Sequence, residues 1–398
     1  MAVGPVERRW RASLTRREAL ASLAALVAGS PLLAAQRDPR PLRDHQRVPG
    51  FAEMESVFDF EPVFFANVPR FVYDYTAHGA DSEWTIQRNR DAFDWVDIVA
   101  RPPVEPARVN TRTSVLGLTM DFPIFVAPSA GQVALHPDGE IGMHKAATAA
   151  KTPMIISNVS SQPVEKIVPA AAGPTWFQFY PRQSLEESRK VLEQAQTAGC
   201  LAVVVTVDQQ ATFYERTQRL RNVGGAPRTP TPRPSGMKNA YRVPDRRLWY
   251  EWSYFDRIRP FIKVPMLIKG VLTAEDARLS VERGLAGIIV SNHGGRSLDY
   301  GPSTIEVLPE IVAAVGGRIP VLVDSGFRRG TDVLKALALG ADAVCFGRAT
   351  RWALGAFGTP GVQRVLEMLQ AELVAAMAAS GRASLADLDE SAVRARFS

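Results

Sequence analysis

Eight short runs of β-branched and apolar residues recur along the chain, at 123–127, 153–156, 175–179, 201–205, 265–268, 286–290, 320–323 and 342–346. Each run ends in polar or glycine-containing sequence. Each after the first is preceded by a helical stretch, such as 185–198 or 331–339, the latter stopped by Gly340 as a helix C-cap. The runs are apolar without alternation, which is the requirement for a parallel strand covered on both faces. Eight such βα units in succession predict an α/β fold, a closed (β/α)8 or TIM barrel, with 398 residues forming one large domain rather than two.

Composition is compatible with that core. Hydrophobic residues make up 46% and charged residues 22%, which excludes disorder on a large scale. Residues 1–35 hold five Arg and two Glu, so half of the +6 net charge belongs to that segment. No Lys/Arg block interleaved with aromatics is present, and nucleic-acid binding is not expected. Cys200 and Cys345 both sit in apolar runs, as buried free thiols do, and imply neither a disulfide framework nor a metal site.

The barrel is flanked by less regular sequence. Residues 1–35 carry Arg8, Arg9 and Arg11, then Thr15-Arg16-Arg17-Glu18-Ala19-Leu20, an apolar run over 20–33 and Ala34-Ala35. This resembles a twin-arginine export signal, which implies the periplasm. The alternative is a basic N-terminus without targeting function, leaving the protein in the cytoplasm. The apolar run is broken by Gly29 and Pro31 and is short for a membrane span. Residues 36–58 read as a linker and 59–398 as the barrel domain. Two short helices are expected over 69–75 and 81–93, and then an extended crossing segment at 102–116. The irregular insertion at 223–247, dense in Pro, Arg and Gly, falls between strands four and five and reads as a lid-like loop.

Function in such a barrel is carried by the residues at the C-terminal end of each strand. In order the strand ends offer Ser129, Ser157, Gln178 with Tyr180, Thr206 with Asp208, Lys269, Ser291 with His293 and Arg296, Asp324 with Arg328, and Gly347 with Arg348. One polar residue at a strand end means little, because loops are polar; eight polar ends that include Tyr, Asp, Lys, His and several Arg point to a site. The loops after strands seven and eight are the phosphate site of many barrels, and Arg328 and Arg348 there predict a phosphate-bearing ligand.

Seven motifs then carry a specific resemblance: Val72-Tyr73-Asp74-Tyr75, Ala127-Pro128-Ser129-Ala130, Gln178-Phe179-Tyr180, Thr206-Val207-Asp208, Ile268-Lys269-Gly270, Ser291-Asn292-His293-Gly294-Gly295-Arg296, and Asp324-Ser325-Gly326-Phe327-Arg328-Arg329-Gly330. In this order, over about residues 58–375, the chain resembles the FMN-dependent L-2-hydroxy acid oxidases and dehydrogenases. That family includes glycolate oxidase, lactate oxidase, flavocytochrome b2 and mandelate dehydrogenase. The resemblance implies oxidation of an L-2-hydroxy acid to the 2-keto acid, with His293 as base, Asp208 as its partner, and either a hydride or a carbanion route to flavin N5. Arg216 and Arg296 would clamp the substrate carboxylate, and Tyr75 and Tyr180 would hydrogen-bond the carboxylate and the hydroxyl. Lys269 would stand beside flavin N1 and the C2 carbonyl. Ser157, Gln178, Thr206 and Ser291 would bond the isoalloxazine edge, and Pro128, Ser129 and Ala130 would supply backbone near N5. Asp324, Ser325, Gly326, Arg328, Gly347 and Arg348 would hold ribityl and phosphate. Oxygen or a respiratory acceptor would take the electrons, and the family forms homotetramers.

Two departures narrow the reading. Val159 and Asn158 stand where glycolate oxidases of this family carry Trp and Ser, and the smaller bulk predicts L-lactate or a longer or aromatic L-2-hydroxy acid. Ser325 replaces a usual Gly. Between Arg216 and Lys269 the chain lacks the long insert with which mandelate dehydrogenase binds membranes, which favours a soluble protein. The competing readings are another FMN-barrel chemistry, such as an isomerase or an amine- or glutamate-linked flavoprotein, and a ligand-binding barrel without catalysis. Loss of His293, Asp208 or Arg296 would have favoured the last, and all three are present.

Overall fold

The computed structural model describes residues 48–182, 184–208 and 251–397. The expected export segment, residues 36–47 of the expected linker, the lid-like loop at 223–247 and Arg216 lie outside the described residues.

The eight expected runs form the eight parallel strands of one closed barrel: Ile124–Val126, Met154–Ser157, Thr175–Phe179, Val203–Thr206, Met266–Val271, Gly287–Val290, Val321–Val323 and Ala343–Phe346. Neighbours in sequence are neighbours in the sheet, and the eighth strand closes on the first with Cys345 opposite Phe125. Both faces are buried. Ile124 and Val126 point outward into the layer between barrel and helices, while Phe125 points into the barrel with Ile155, Trp176, Val204, Leu267, Ile289 and Leu322. Side chains thus alternate between two apolar environments, which is why the runs show no polar period. A hairpin, Thr113–Val115 with Leu118–Met120, leads into the first strand, and its Val115 and Met120 join the interior cluster and close the N-terminal mouth.

The flanks are more ordered than the sequence suggests. Met54 and Val57, inside the expected linker, are buried in the main core at 1% and 0% exposure. Helices occupy Arg70–Ala77 and Trp84–Asp91 as expected, and a further one, Phe60–Asn67, packs on the long C-terminal helical stretch Arg348–Ala379, which is kinked at Phe357 and Gly358. The segment expected to cross in extended form contains a 3-10 turn at Pro106–Arg108 before the hairpin. Val96–Ile98, ahead of the barrel, pairs antiparallel with Val393–Ala395 near the C-terminal end of the described residues. Among the described residues no helix is long and apolar enough to cross a membrane.

Candidate active site

The sixth strand ends at Val290, and the next residues turn it sharply. His293, Gly294 and Gly295 take φ of 59°, 69° and 74° in succession. For histidine a left-handed backbone costs on the order of 1–2 kcal/mol, so something else must hold the turn. Its supports are hydrogen bonds: His293 N–H donates to Ser291 Oγ (3.0 Å), Gly295 N–H to Asn292 Oδ1 (3.0 Å), and Gly294 N–H to Ser325 Oγ (2.9 Å). Asn292 is itself fixed by reciprocal amide bonds with Asn89 at 2.9 and 2.8 Å. The helix ahead of the barrel therefore locks the turn that carries the imidazole.

The imidazole has one side set by the protein and one side turned to a cavity. Asp208 Oδ1 lies 2.7 Å from His293 Nδ1. An ionised carboxylate only accepts, so Nδ1 carries a proton, and in the neutral ring the lone pair lies on Nε2. Nε2 is 3.4 Å from the Tyr180 hydroxyl. Behind this pair, the buried Lys269 Nζ donates to Ser291 Oγ (2.6 Å) and stands 3.5 Å from Asp208 Oδ2 and 3.3 Å from Asp324 Oδ2. Burial would raise the Asp208 carboxyl, yet the charges of His293 and Lys269 and their hydrogen bonds outweigh it and hold it at about 2. Burial likewise opposes the Lys269 ammonium, and the two carboxylates more than restore it, so its pKa is raised. Close approach of these groups needs Gly270: its φ is 113°, and a Cβ there would sit 2.6 Å from Asp208 Cβ.

A cavity of about 1100 Å³, counted with its open mouth, lies over these groups at the C-terminal end of the barrel. The C-terminus of helix Arg70–Ala77 points into it, and the carbonyls left over at that end gather guanidinium groups. Arg296 Nη1 donates to the carbonyls of Tyr75 (2.5 Å) and His78 (2.8 Å), and Arg348 Nε donates to that of Thr76 (2.7 Å). The Arg296 guanidinium centre lies 4.6 Å from the Tyr75 ring centroid.

Farther along, Arg328 is buried over the Trp352 ring, and Arg348, half-buried, stands in its field. Burial, and then the charge of Arg90, lowers Arg328 to about 10; burial and the charges of Arg328 and Arg296 lower Arg348 well below the usual range. Neither forms an ion pair with a described carboxylate. A buried cation that is not neutralised costs several kcal/mol, so this end of the cavity is built for an anion.

Most expected site residues meet at this cavity. Tyr75, Tyr180, His293, Arg296 and Val159 line it, as do Pro128, Ser129, Ala130, Ser157, Gln178, Thr206, Lys269, Asp324, Ser325, Gly326, Arg328, Gly347 and Arg348. Two expected residues stand behind the wall instead. Asp208 backs His293, and Ser291, fully buried, has its hydroxyl committed to Lys269 and to the His293 amide rather than to a ligand edge. Arg351 and Thr76 line the cavity, and nothing in the sequence singles them out. Arg351 stands three residues after Arg348 on one helix, a spacing that puts both on one face.

The residues present suit FMN. The Nε2 of Gln178 and the Oγ1 of Thr206 are buried without a hydrogen-bond partner among the described residues, and both line the cavity. They supply a donor and a hydroxyl to a flat, heteroatom-edged ring. The buried Arg328 and the half-buried Arg348 suit a phosphomonoester carrying about two negative charges.

The sequence profile of the FMN-dependent dehydrogenase family matches residues 65–395. The chain is 41% identical to glycolate oxidase 3 of Oryza sativa subsp. indica over 351 residues, covering 84% of this chain and 94% of that protein. It is 38% identical to glycolate oxidase of Spinacia oleracea over 358 residues, covering 86% and 96%. Among solved structures it is similar to mandelate oxidase with (S)-2-phenylpropionate, at TM-score 0.76 and 35% identity, covering 86% of this chain and 99% of that one. The chain belongs to the family of FMN-dependent dehydrogenases that includes the 2-hydroxy acid oxidases, and FMN is its cofactor.

Proposed function

We propose that this enzyme oxidises the α-carbon of an L-2-hydroxy acid larger than glycolate, L-lactate or a longer or aromatic acid, to the 2-keto acid. The observation that carries the reading is the His293–Asp208 pair, with Nε2 facing the cavity 3.4 Å from the Tyr180 phenol. Bound FMN supplies the two-electron acceptor. The protein's own groups do the rest. Arg296 and Tyr75 hold the carboxylate, joined by Arg216 from outside the described residues, and this presents the α-carbon and its hydroxyl to His293 and Tyr180. His293 Nε2 takes the proton that leaves the substrate, and Asp208 stabilises the imidazolium so formed. Lys269 places a fixed positive charge at the wall where negative charge grows as the cofactor is reduced.

The size argument rests on Val159, which lines the cavity and is 52% exposed. Phenyl-bearing ligands in the similar mandelate oxidase structures support an aromatic acid as one candidate. Anaerobic flavin bleaching against L- and D-2-hydroxy acids from glycolate to mandelate tests the reading. Bleaching by the L acids, faster for lactate or mandelate than for glycolate, is expected. A yellow protein that none of them bleaches would overturn it. Admitting air afterwards separates oxygen from a respiratory acceptor by the speed of recolouring.

Export by the twin-arginine route to the periplasm is proposed on residues 1–35 alone, and a twin-lysine variant at Arg16 and Arg17 that is still exported would refute it. Assembly as a homotetramer is proposed on the family resemblance and is read directly by native mass spectrometry.

A further inference from the structure

Among the described residues lining the cavity, Arg351 is a cation to which the proposed reaction gives no task. It sits early in the helical stretch Arg348–Ala379 and is 7% exposed. Its Nη1 donates to the Ala130 carbonyl at 2.6 Å and its Nε to Thr76 Oγ1 at 3.1 Å. The Thr76 hydroxyl donates onward to the Val72 carbonyl at 3.2 Å, so a lone pair remains to accept from Arg351. The guanidinium centre is 5.4 Å from the Tyr75 ring centroid, the same ring that Arg296 approaches. No described carboxylate forms an ion pair with Arg351, and its Nη2 makes no hydrogen bond to a described residue.

A solvated surface charge does not fit a side chain this buried, and a structural ion pair does not fit one without a carboxylate. The partners themselves point elsewhere. Thr76 and Tyr75 belong to the helix Arg70–Ala77, Ala130 to the loop after the first barrel strand, and Arg351 to the helix after the eighth. One rigid planar fork therefore ties its own helix to two other elements whose residues line this cavity. Arg348, three residues earlier, reaches the Thr76 and Gly294 carbonyls and stands in the field of Arg328, on the phosphate side. Arg351 acts on the other side, where Tyr75 and Arg296 lie.

We propose that Arg351 is a positioning residue for the hydroxy-acid end of the cavity, a strut between Thr76 and Ala130 that fixes the Tyr75 ring where a bound carboxylate meets it. The proposal rests on the function proposed above. Charge and fork both matter: the charge holds the ring face by cation–π attraction, and the fork sets the separation of the Thr76 and Ala130 walls. Lysine preserves the first and loses the second.

The test uses full-length, FMN-saturated protein carrying Arg351→Met, Arg351→Lys or Thr76→Val. Pyruvate, a 2-keto acid that the enzyme cannot oxidise, is titrated by the shift it causes in flavin absorbance, and FMN affinity is measured separately by fluorescence. In Arg351→Met the pyruvate Kd is expected to weaken about tenfold or more while FMN affinity stays within about threefold; Arg351→Lys falls between Met and the parent. A pyruvate Kd equal to the parent's in the saturated Met variant overturns the proposal. Loss of FMN and of thermal stability with pyruvate affinity intact overturns it too, because that is the mark of a purely structural residue. If Arg351→Met does not fold, Thr76→Val, which removes the Nε acceptor together with the hydroxyl's bond to the Val72 carbonyl, decides: a several-fold weaker pyruvate Kd is expected, and no change overturns the proposal. A parent protein that neither responds to pyruvate nor is bleached by any L-2-hydroxy acid overturns the functional reading and this proposal with it. A responsive parent with unaltered variants overturns this proposal alone.

Discussion

Asp208 bridges two groups at once: Oδ1 lies 2.7 Å from His293 Nδ1 and Oδ2 lies 3.5 Å from Lys269 Nζ. A single carboxylate thus fixes the tautomer of the base and helps hold the fixed charge beside the cofactor. Asp208→Asn should uncouple these roles. An amide can donate to Nδ1 and so favours the tautomer protonated on Nε2, which cannot take a proton. Flavin reduction by the substrate should slow by about 10²–10⁴-fold, with FMN still bound, as followed by anaerobic stopped-flow absorbance. A rate within threefold of the parent would remove Asp208 from the mechanism.

The same carboxylate should shape acid stability. Its pKa is held at about 2, below the ordinary carboxylate value of about 3.9. The depressed value means that its stabilising contribution is fully present above about pH 4 and is lost as pH falls through about 2. The parent should lose on the order of 2 kcal/mol across that window from this group alone. Asp208→Asn should be less stable than the parent at pH 6, and the gap should narrow toward pH 2 in denaturant titrations.

Arg348 bears on the cofactor. It is half-buried without a carboxylate partner among the described residues and lies in the field of Arg328 and Arg296, so in the apoprotein its charge is a burden and with FMN it is matched. Arg348→Met should weaken FMN binding by about 10–100-fold, measured by quenching of flavin fluorescence, because a charge-assisted bond contributes about 1.5–3 kcal/mol. The apoprotein of the same variant should melt no lower than the parent apoprotein. A drop in its melting temperature would mean that Arg348 serves the fold.

Gly270 makes a steric prediction. The added methyl of Gly270→Ala would stand 2.6 Å from Asp208 Cβ and 3.0 Å from the Asp208 backbone nitrogen, at φ of 113°. Destabilisation on the order of 2–3 kcal/mol is expected, with the Asp208–His293 contact displaced and substrate reduction of the flavin slowed. Equilibrium denaturation with parallel stopped-flow measurement checks both.

Much of this is legible from residue order, for physical reasons. The strands can be read because both of their faces are buried: Phe125 inside the barrel and Ile124 outside it are equally apolar, and the polar break after each strand marks the same end of the barrel. The pairing of Val96–Ile98 with Val393–Ala395 cannot be read, because each is three residues long and their partnership is set by tertiary closure. Met54 and Val57 are hidden among charged and proline residues, and a pair of buried apolar side chains has no period to announce it. At the site, His293, Lys269 and Tyr180 are readable because they come directly after strands or at their ends. Ser291 is readable as present but not as turned away, since whether a hydroxyl faces a ligand or a lysine depends on where Lys269 Nζ ends, 2.6 Å away on the neighbouring strand. Arg351 escapes notice because it lies a helical turn beyond the strand end, where an arginine usually faces water.

The closed floor of the barrel has a kinetic consequence. Val115 and Met120 of the hairpin join the interior cluster of Phe125 and Trp176, whose ring centroids are 4.5 Å apart, and among the described residues they fill the barrel from below. Among the described residues, cofactor and substrate therefore share the mouth at the C-terminal end of the barrel. An acid seated over bound flavin would cover that mouth, so FMN should dissociate more slowly the more tightly the acid is bound.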